Sequence, residues 1–223
     1  MQVKLISYSQ PTTEFADMGI TDAQELIAYC ARVSNPANQF NTETSDKLIR
    51  YLVRHQHWSP LEMVSACMEI TTTRDIARQI LRHRSFSFQE FSQRYADPTT
   101  ELEFVTREAR LQDPTNRQNS TVIEDQELQE TWRQMQQVVI DIAKLQYEVA
   151  IGLGIAKEQA RAVLPEGLTE SRLYMNGTLR SWIHFVELRS ANGTQKEHQA
   201  VAKACAKAIA EIFPMTTDLV NLD

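Results

Sequence analysis

The stretch 74–94 concentrates the residues best suited to chemistry. It holds Arg74, Arg78, Arg82, Arg84 and Arg94 against Asp75 and Glu90, a local charge of +3 in a chain of net charge −6. Helical spacing would stack Arg74, Arg78 and Arg82 along one face, with Gln79 on much the same face. Past Arg82-His83-Arg84 come hydroxyls and aromatics: Ser85, Phe86, Ser87, Phe88, Phe91, Ser92 and Tyr95. Guanidinium groups grip phosphate through paired hydrogen bonds and do not lose their proton. Hydroxyls and backbone N–H groups supply further donors, and aromatic rings stack on a planar base. Together these meet the needs of a nucleotide site. The competing reading is a helix whose arginines pair with acids elsewhere, which 29 Asp and Glu make easy and which composition alone favours. The tight Arg-His-Arg triplet, with Ser92 and Arg94 behind it, moves the balance towards the nucleotide.

Other constellations carry less. His55 and His57 form a His-x-His pair, but no carboxylate or Cys spacing nearby completes a metal site, and none is expected. Ser92 lacks a His-Asp pair spaced to activate it and is read as orienting a substrate. Cys30, Cys67 and Cys205 are odd in number and far apart, which argues against a disulfide framework or a Cys-based zinc site and points to a reducing cytoplasm. The Gly-x-Gly-x-x-Gly dinucleotide fingerprint is absent. No apolar run approaches the roughly 18 residues of a membrane span, and residues 1–8 do not read as a secretion signal. An acidic chain is also a poor default partner for nucleic acid or a membrane surface, so neither is expected.

The elements that must position these residues follow from periodicity. The chain has 223 residues, 42% hydrophobic and 23% charged, the balance of a globular protein long enough for a real core. Residues 2–8 read as a strand, 22–33 as a helix with Asp22 as N-cap, and 44–55 as a second helix that Ser59-Pro60 breaks. In 62–72, Val64, Ala66, Met68 and Ile70 alternate with Ser65, Cys67, Glu69 and Thr71, a strand pattern. Residues 74–83 return to helix, and 96–124 are loop-like. A long helix follows, in which Leu128, Trp132, Met135, Val139, Ile142, Leu145 and Val149 step by three or four until Gly152 and Gly154. A short helix over 156–163, a strand at 172–175 and helices over 178–190 and 195–213 complete the chain. The expected fold is a single α+β domain over 1–223, with a helical majority around a small mixed sheet.

Arg82-His83-Arg84, seven residues, then Ser92, flanked by Gln79, Glu90, Arg94 and Tyr95, resembles the defining motif of the flavin-dependent thymidylate synthases. Further segments are similar in order along the chain: Ala31-Arg32-Val33-Ser34, His57-Trp58-Ser59-Pro60-Leu61-Glu62, Ala160-Arg161 with Val163-Leu164-Pro165, Asn176-Gly177-Thr178-Leu179-Arg180-Ser181, and Leu188-Arg189. The resemblance implies conversion of dUMP to dTMP, with methylenetetrahydrofolate as carbon donor and NADPH reducing a bound FAD. It also implies an α+β homotetramer with shared active sites. Residue by residue, it implies flavin contacts from His57, Ser59, Arg82, His83, Arg84, Glu90, Thr178, Leu179, Arg180 and His184, and makes Glu62 a pocket residue. It implies that Gln79, Ile80, Leu81 and Arg82 help hold dUMP, that Glu90, Phe91, Ser92, Gln93 and Arg94 form its loop with Arg94 on the phosphate, and that Arg161 adds a second cation. Arg189 is the implied catalytic residue, favouring uracil ionised at N3. His184 stands where other members have Asn, and Gly193 where some have His. No Cys falls in a matched segment, so a covalent Cys–uracil step gets no support.

A fixed guanidinium stabilises the negative charge that develops when N3 loses its proton. Arg189 lies nine residues after Arg180, half a turn round the helix, which turns it towards Leu179, Trp182, Ile183 and Val186. An arginine there needs an anion. The alternative to a substrate is a buried salt bridge, with Glu187 or Glu197. Two other readings of the chain stay open: a non-catalytic nucleotide- or RNA-binding module built on 74–94, and a flavoprotein acting on another substrate.

Overall fold

The computed structural model describes residues 1–219. In chain order its elements are β1 (Gln2–Tyr8), α1 (Thr13–Asp17), α2 (Ala23–Ala31), α3 (Ser45–Arg54), β2 (Ser65–Thr73), α4 (Arg74–Ile80), β3 (Ser87–Glu90), α5 (Pro98–Glu101), β4 (Arg110–Gln112), β5 (Ser120–Val122), α6 (Gln126–Gly152), α7 (Lys157–Ala160), β6 (Glu170–Thr178), α8 (Leu179–Ser190), α9 (Lys196–Ala210) and α10 (Thr216–Leu219). Helix outweighs strand, as expected. The main sheet runs β1-β2-β6-β3 and is antiparallel throughout rather than mixed. Among the described residues, no helix is long and apolar enough to cross a membrane.

Local chemistry explains several boundaries. Asp22 caps α2 as its sequence suggested, its carboxylate accepting from the Glu25 N–H at 2.8 Å. Thr178 does the same for α8, accepting from the Ser181 N–H. The alternation in β2 is real: Ala66, Met68 and Ile70 are buried while Ser65, Cys67 and Glu69 are half-exposed. Met68 lies opposite Met175 and Ile70 opposite Leu173, so β2 and β6 present one apolar face. Helices α8 and α9 cover it with Trp182, Phe185, Val186, Val201, Cys205 and Ile209. The Trp182 indole N–H donates to the Ala66 carbonyl at 3.0 Å, fixing α8 on the sheet.

The interval read as loop contains more order than its sequence suggested. It holds α5 and the small β4–β5 hairpin. That hairpin region fastens the start of α9, through Arg110–Glu197 at 2.6 Å and Lys196–Glu108 at 2.6 Å. Strand β3 was also not anticipated. It pairs with β6 and carries the chain from the Arg-His-Arg triplet to Glu90.

Gly177 is the position that this arrangement needs without a side chain. It is buried in β6, and a Cβ there would lie 2.6 Å from Phe86 Cε1 and closer still to its Cδ1, too close for any real contact. Phe86 in turn packs edge-on against Trp182, with centroids 4.8 Å apart. Gly177→Ala is expected to cost about 1–3 kcal/mol through overpacking. Thermal unfolding should show a midpoint lowered by about 2–10 °C. An unchanged midpoint would mean that Phe86 moves aside freely.

Candidate functional site

Helix α4 divides the site residues between its two ends. At its start, Arg74, Arg78, Gln93 and Arg161 share a cleft of about 400 Å³. Arg74 and Gln93 are buried, yet Arg74 Nη1 and Gln93 Nε2 have no hydrogen-bond partner. Two buried donors without an acceptor are costly, and an anion entering the cleft would satisfy both. Glu166 lies 3.6 Å from Arg74 and 3.5 Å from Arg78. The following loop is held close by. Glu90 accepts from the Ser171 hydroxyl at 2.8 Å and lies 3.8 Å from Arg74. The Phe91 N–H donates to the Arg172 carbonyl at 2.8 Å, and the Ser92 hydroxyl accepts from the Arg94 N–H at 3.4 Å. Arg94 is exposed and pairs with Glu158 at 3.5 Å, while Arg161 Nε donates to the Glu158 carbonyl at 3.2 Å. The acid-pairing reading of the arginines is thus partly realised, in Arg74, Arg78 and Arg94.

At the other end of α4, about 10 Å along, the chain turns through Leu81, Arg82, His83 and Arg84. Arg82 and Arg84 are exposed, Leu81 is half-buried, and Ile80 is fully buried in the core. His83 meets Arg189 from α8, whose Nε donates to His83 Nε2 at 2.9 Å. Neither acid considered for Arg189 reaches it. Glu197 is engaged by Arg110, and Glu187 is exposed. Among the described residues, Arg189 has no carboxylate within 4 Å. Gln79 joins this end through His198, whose Nδ1 is 3.2 Å from Gln79 Oε1.

A third group lies where β6 passes into α8. Arg180 pairs with Glu62, and the His184 ring packs edge-on against Trp58 at 4.4 Å. Ser59 and His57 are exposed beside this pair, with His57 6.2 Å from the Tyr51 ring. Leu179 is fully buried, so only its backbone is open to a ligand role. Arg180, His184 and Arg189 share one helix, whereas the cleft residues Gln93 and Arg161 stand at the far end of α4. His198 was missed in the sequence, although it falls in phase with Val201, Cys205 and Ile209 on the buried side of α9. The burial of Arg74 was also missed.

Both imidazoles at the Arg189 end are held neutral. Burial pushes His83 down to about 4, and repulsion from Arg189 and then Arg82 adds to it. Burial pushes His198 down to about 3, with Arg189 and His83 adding to it. The Arg189 N–H requires a lone pair on His83 Nε2, which fits a neutral ring protonated on Nδ1. These depressed values make the fold acid-sensitive. Below the ordinary value of 6.5 the unfolded chain binds protons that the folded one refuses. Stability should therefore fall from pH 6.5 towards pH 3, and His198 alone should cost about 2 kcal/mol at pH 5. Urea unfolding at pH 7 and pH 5 measures this, and a flat profile would mean that His198 charges inside the fold.

Residues 17–215 match the family described as Thymidylate synthase complementing protein. The chain is 48% identical over 217 residues to a probable flavin-dependent thymidylate synthase of Paramecium bursaria Chlorella virus 1, covering 96% of each. The chain belongs to the flavin-dependent thymidylate synthase family. Membership makes it an enzyme, an FAD-dependent thymidylate synthase. The Synechocystis flavin-dependent thymidylate synthase is also 48% identical, over 214 residues and 96% of both chains. A UMP/dUMP methylase, PolB from Streptomyces cacaoi, solved with 5-Br dUMP, superposes with a TM-score of 0.81 at 27% identity, over 98% of this chain and 93% of that one. The antiparallel sheet with α8 and α9 against it is thus a fold that this family shares with a uridylate methylase.

Proposed function

We propose that this synthase methylates dUMP to dTMP, taking its carbon from methylenetetrahydrofolate and its reducing equivalents from NADPH through FAD. The observation that carries the reading is Arg189: a half-buried guanidinium with no carboxylate partner among the described residues, held at Nε by a neutral imidazole. With Nε engaged, both Nη groups of its fork are left for a ligand. Such a fork facing uracil favours the form ionised at N3, and the added electron density at C5 prepares that carbon for alkylation. His83 fixes the direction of the fork. Arg74, Arg161 and Gln93 hold the 5′-phosphate, because their cleft offers buried donors that lack acceptors. Glu90, kept in place by Ser171, orients the nucleotide between the two.

The residues at the β6–α8 junction, with the turn after α4 that Ser181 joins through the Ser85 carbonyl at 3.1 Å, fit a flavin dinucleotide. Arg82 and Arg84 from that turn and Arg180 from α8 supply cations suited to a pyrophosphate, and Trp58 and His184 supply ring surfaces. When bound, FAD would pass electrons from NADPH to the nucleotide. Ser59, His57 and the Thr178–Arg180 backbone would bind and orient it.

The active unit is a homotetramer with sites shared between subunits. Two features support this. Within one chain the cleft lies along Arg74 and Arg78 of α4, whereas Arg189 meets His83 in the turn beyond that helix. The expected apolar stripe of α6 also faces solvent: Met135, Val139, Ile142, Leu145 and Val149 are 47–58% exposed. The helix docks instead through Gln136, Ile140, Ala143 and Tyr147. So long an apolar stripe is characteristic of an interface and not of a monomer surface.

The test is the visible spectrum of protein loaded with FAD and desalted, then treated anaerobically with NADPH, dUMP and methylenetetrahydrofolate. An oxidised-flavin spectrum that bleaches with NADPH, followed by dTMP formation, is expected. Retained flavin without dTMP would favour another substrate.

A further inference from the structure

We propose that His198 is a positioning residue of the nucleotide pocket: through Nδ1 it fixes the Gln79 amide, and so decides which donor and acceptor Gln79 presents to the substrate. The inference rests on the reading of Gln79 as a dUMP contact and extends it to a residue with no assigned role.

The argument starts from a charge and follows the donors. Arg110 lies 2.6 Å from Glu197 Oε1. Burial alone would raise the Glu197 carboxyl. Hydrogen bonds from Arg110, its own backbone N–H and Gln195 outweigh that and keep it below the usual range. An ionised carboxylate only accepts. The Gln195 atom 3.0 Å from Glu197 Oε2 is therefore its nitrogen. That turns the Gln195 oxygen towards Gln79, 2.9 Å from an atom that must be the Gln79 nitrogen. The Gln79 oxygen then faces His198, so the ring nitrogen at 3.2 Å carries the proton. Each amide orientation, which geometry alone would leave ambiguous, follows from the one before it.

The chain ends inside the protein. His198 is fully buried, and its Nε2 has no partner. Its ring is 6.3 Å from that of His83, the residue that aims Arg189. Gln79 keeps one N–H and one oxygen lone pair for a ligand, at ends that cannot exchange while His198 Nδ1–H and Gln195 hold them. A buried hydrophobic side chain at 198 would pack as well but would let the amide turn.

The experiment compares His198→Leu with His198→Asn, whose side-chain nitrogen can replace Nδ1. The leucine variant is expected to bind dUMP about tenfold more weakly, with kcat within about threefold and the flavin spectrum unchanged. The asparagine variant should recover most of that loss. Equal defects in both variants, or native dUMP affinity in the leucine variant, would overturn the proposal. A native enzyme that takes up no dUMP in the same titration would overturn the substrate reading and the role built on it. Nitrogen NMR of histidine-labelled native enzyme reads the tautomer without any variant having to fold. A neutral ring protonated on Nδ1 is expected, and protonation on Nε2 overturns the proposal even where dUMP binds.

Discussion

Arg189→Ala is expected to lower the rate of dTMP formation by about 10²–10³-fold while leaving the fold and the bound flavin intact. The size follows from what the side chain is doing. Its Nε is spent on His83, and among the described residues it meets no carboxylate, so its charge is available to the substrate. Removing it leaves His83 and His198, two imidazoles whose charging burial disfavours, and among the described residues only the exposed Arg82 as a nearby cation to favour a negative pyrimidine. The loss should therefore fall on kcat more than on dUMP affinity, which the proposed function assigns to the cleft of Arg74, Gln93 and Arg161. Raising the pH should restore the variant more than the native enzyme, because bulk base then does part of the ionisation. Arg189→Lys keeps a charge but cannot donate to His83 and offer a fork at once, so it should fall between the two. Single-turnover dTMP formation against pH measures all three. Native turnover in Arg189→Ala would remove Arg189 from its role and return the pocket to a binding surface.

The sequence makes the strong periodic elements legible and leaves the short ones obscure. Strand β2 is visible because its inward and outward residues differ in polarity at every step, and α2 because Asp22 marks its start. Strand β3 is only four residues long. Exposed Ser85 and Ser87 alternate with half-buried Phe86 and Phe88 across its start, but hydroxyls and rings in that pattern also suit a nucleotide site. The β4–β5 hairpin exposes Leu111 and Val122 and is held by ion pairs rather than by a buried stripe, so periodicity gives no sign of it. The site divides in the same way. Residue types pointed to Arg74–Arg94 as cationic, yet which arginines pair internally depends on where Glu90, Glu158 and Glu166 arrive in space. That Glu197 goes to Arg110 and not to Arg189 is a tertiary fact with no local signature. His198 did have one, its phase on the buried side of α9, where a polar residue demands an explanation.

Placing a charge in the α6 stripe is expected to abolish activity without touching any residue of the site. The double variant Val139→Asp, Ile142→Asp should sediment as a smaller species than the native enzyme. It should lose bound flavin and at least about 100-fold in turnover, if each site needs residues from more than one chain. Both side chains are about half exposed in the single chain, so a carboxylate there costs the isolated fold little, and helical circular dichroism should be retained. The cost falls on the assembly, where an ionised group would be carried out of water with no cation facing it on its own helix. Positions 139 and 142 are three apart on the helix, so the added charges also repel one another, by a few tenths of a kcal/mol that the 27-residue helix tolerates. The opposite face, Gln136, Ile140, Ala143 and Tyr147, supplies the control: it is buried in the single chain, so charges there should unfold the subunit and remove its helical signal. Retention of the native assembly and turnover by the stripe variant would mean that the exposed face of α6 is not the subunit contact. Gln93 and Arg161 would then have to meet Arg189 within one chain, across the length of α4 that now separates them.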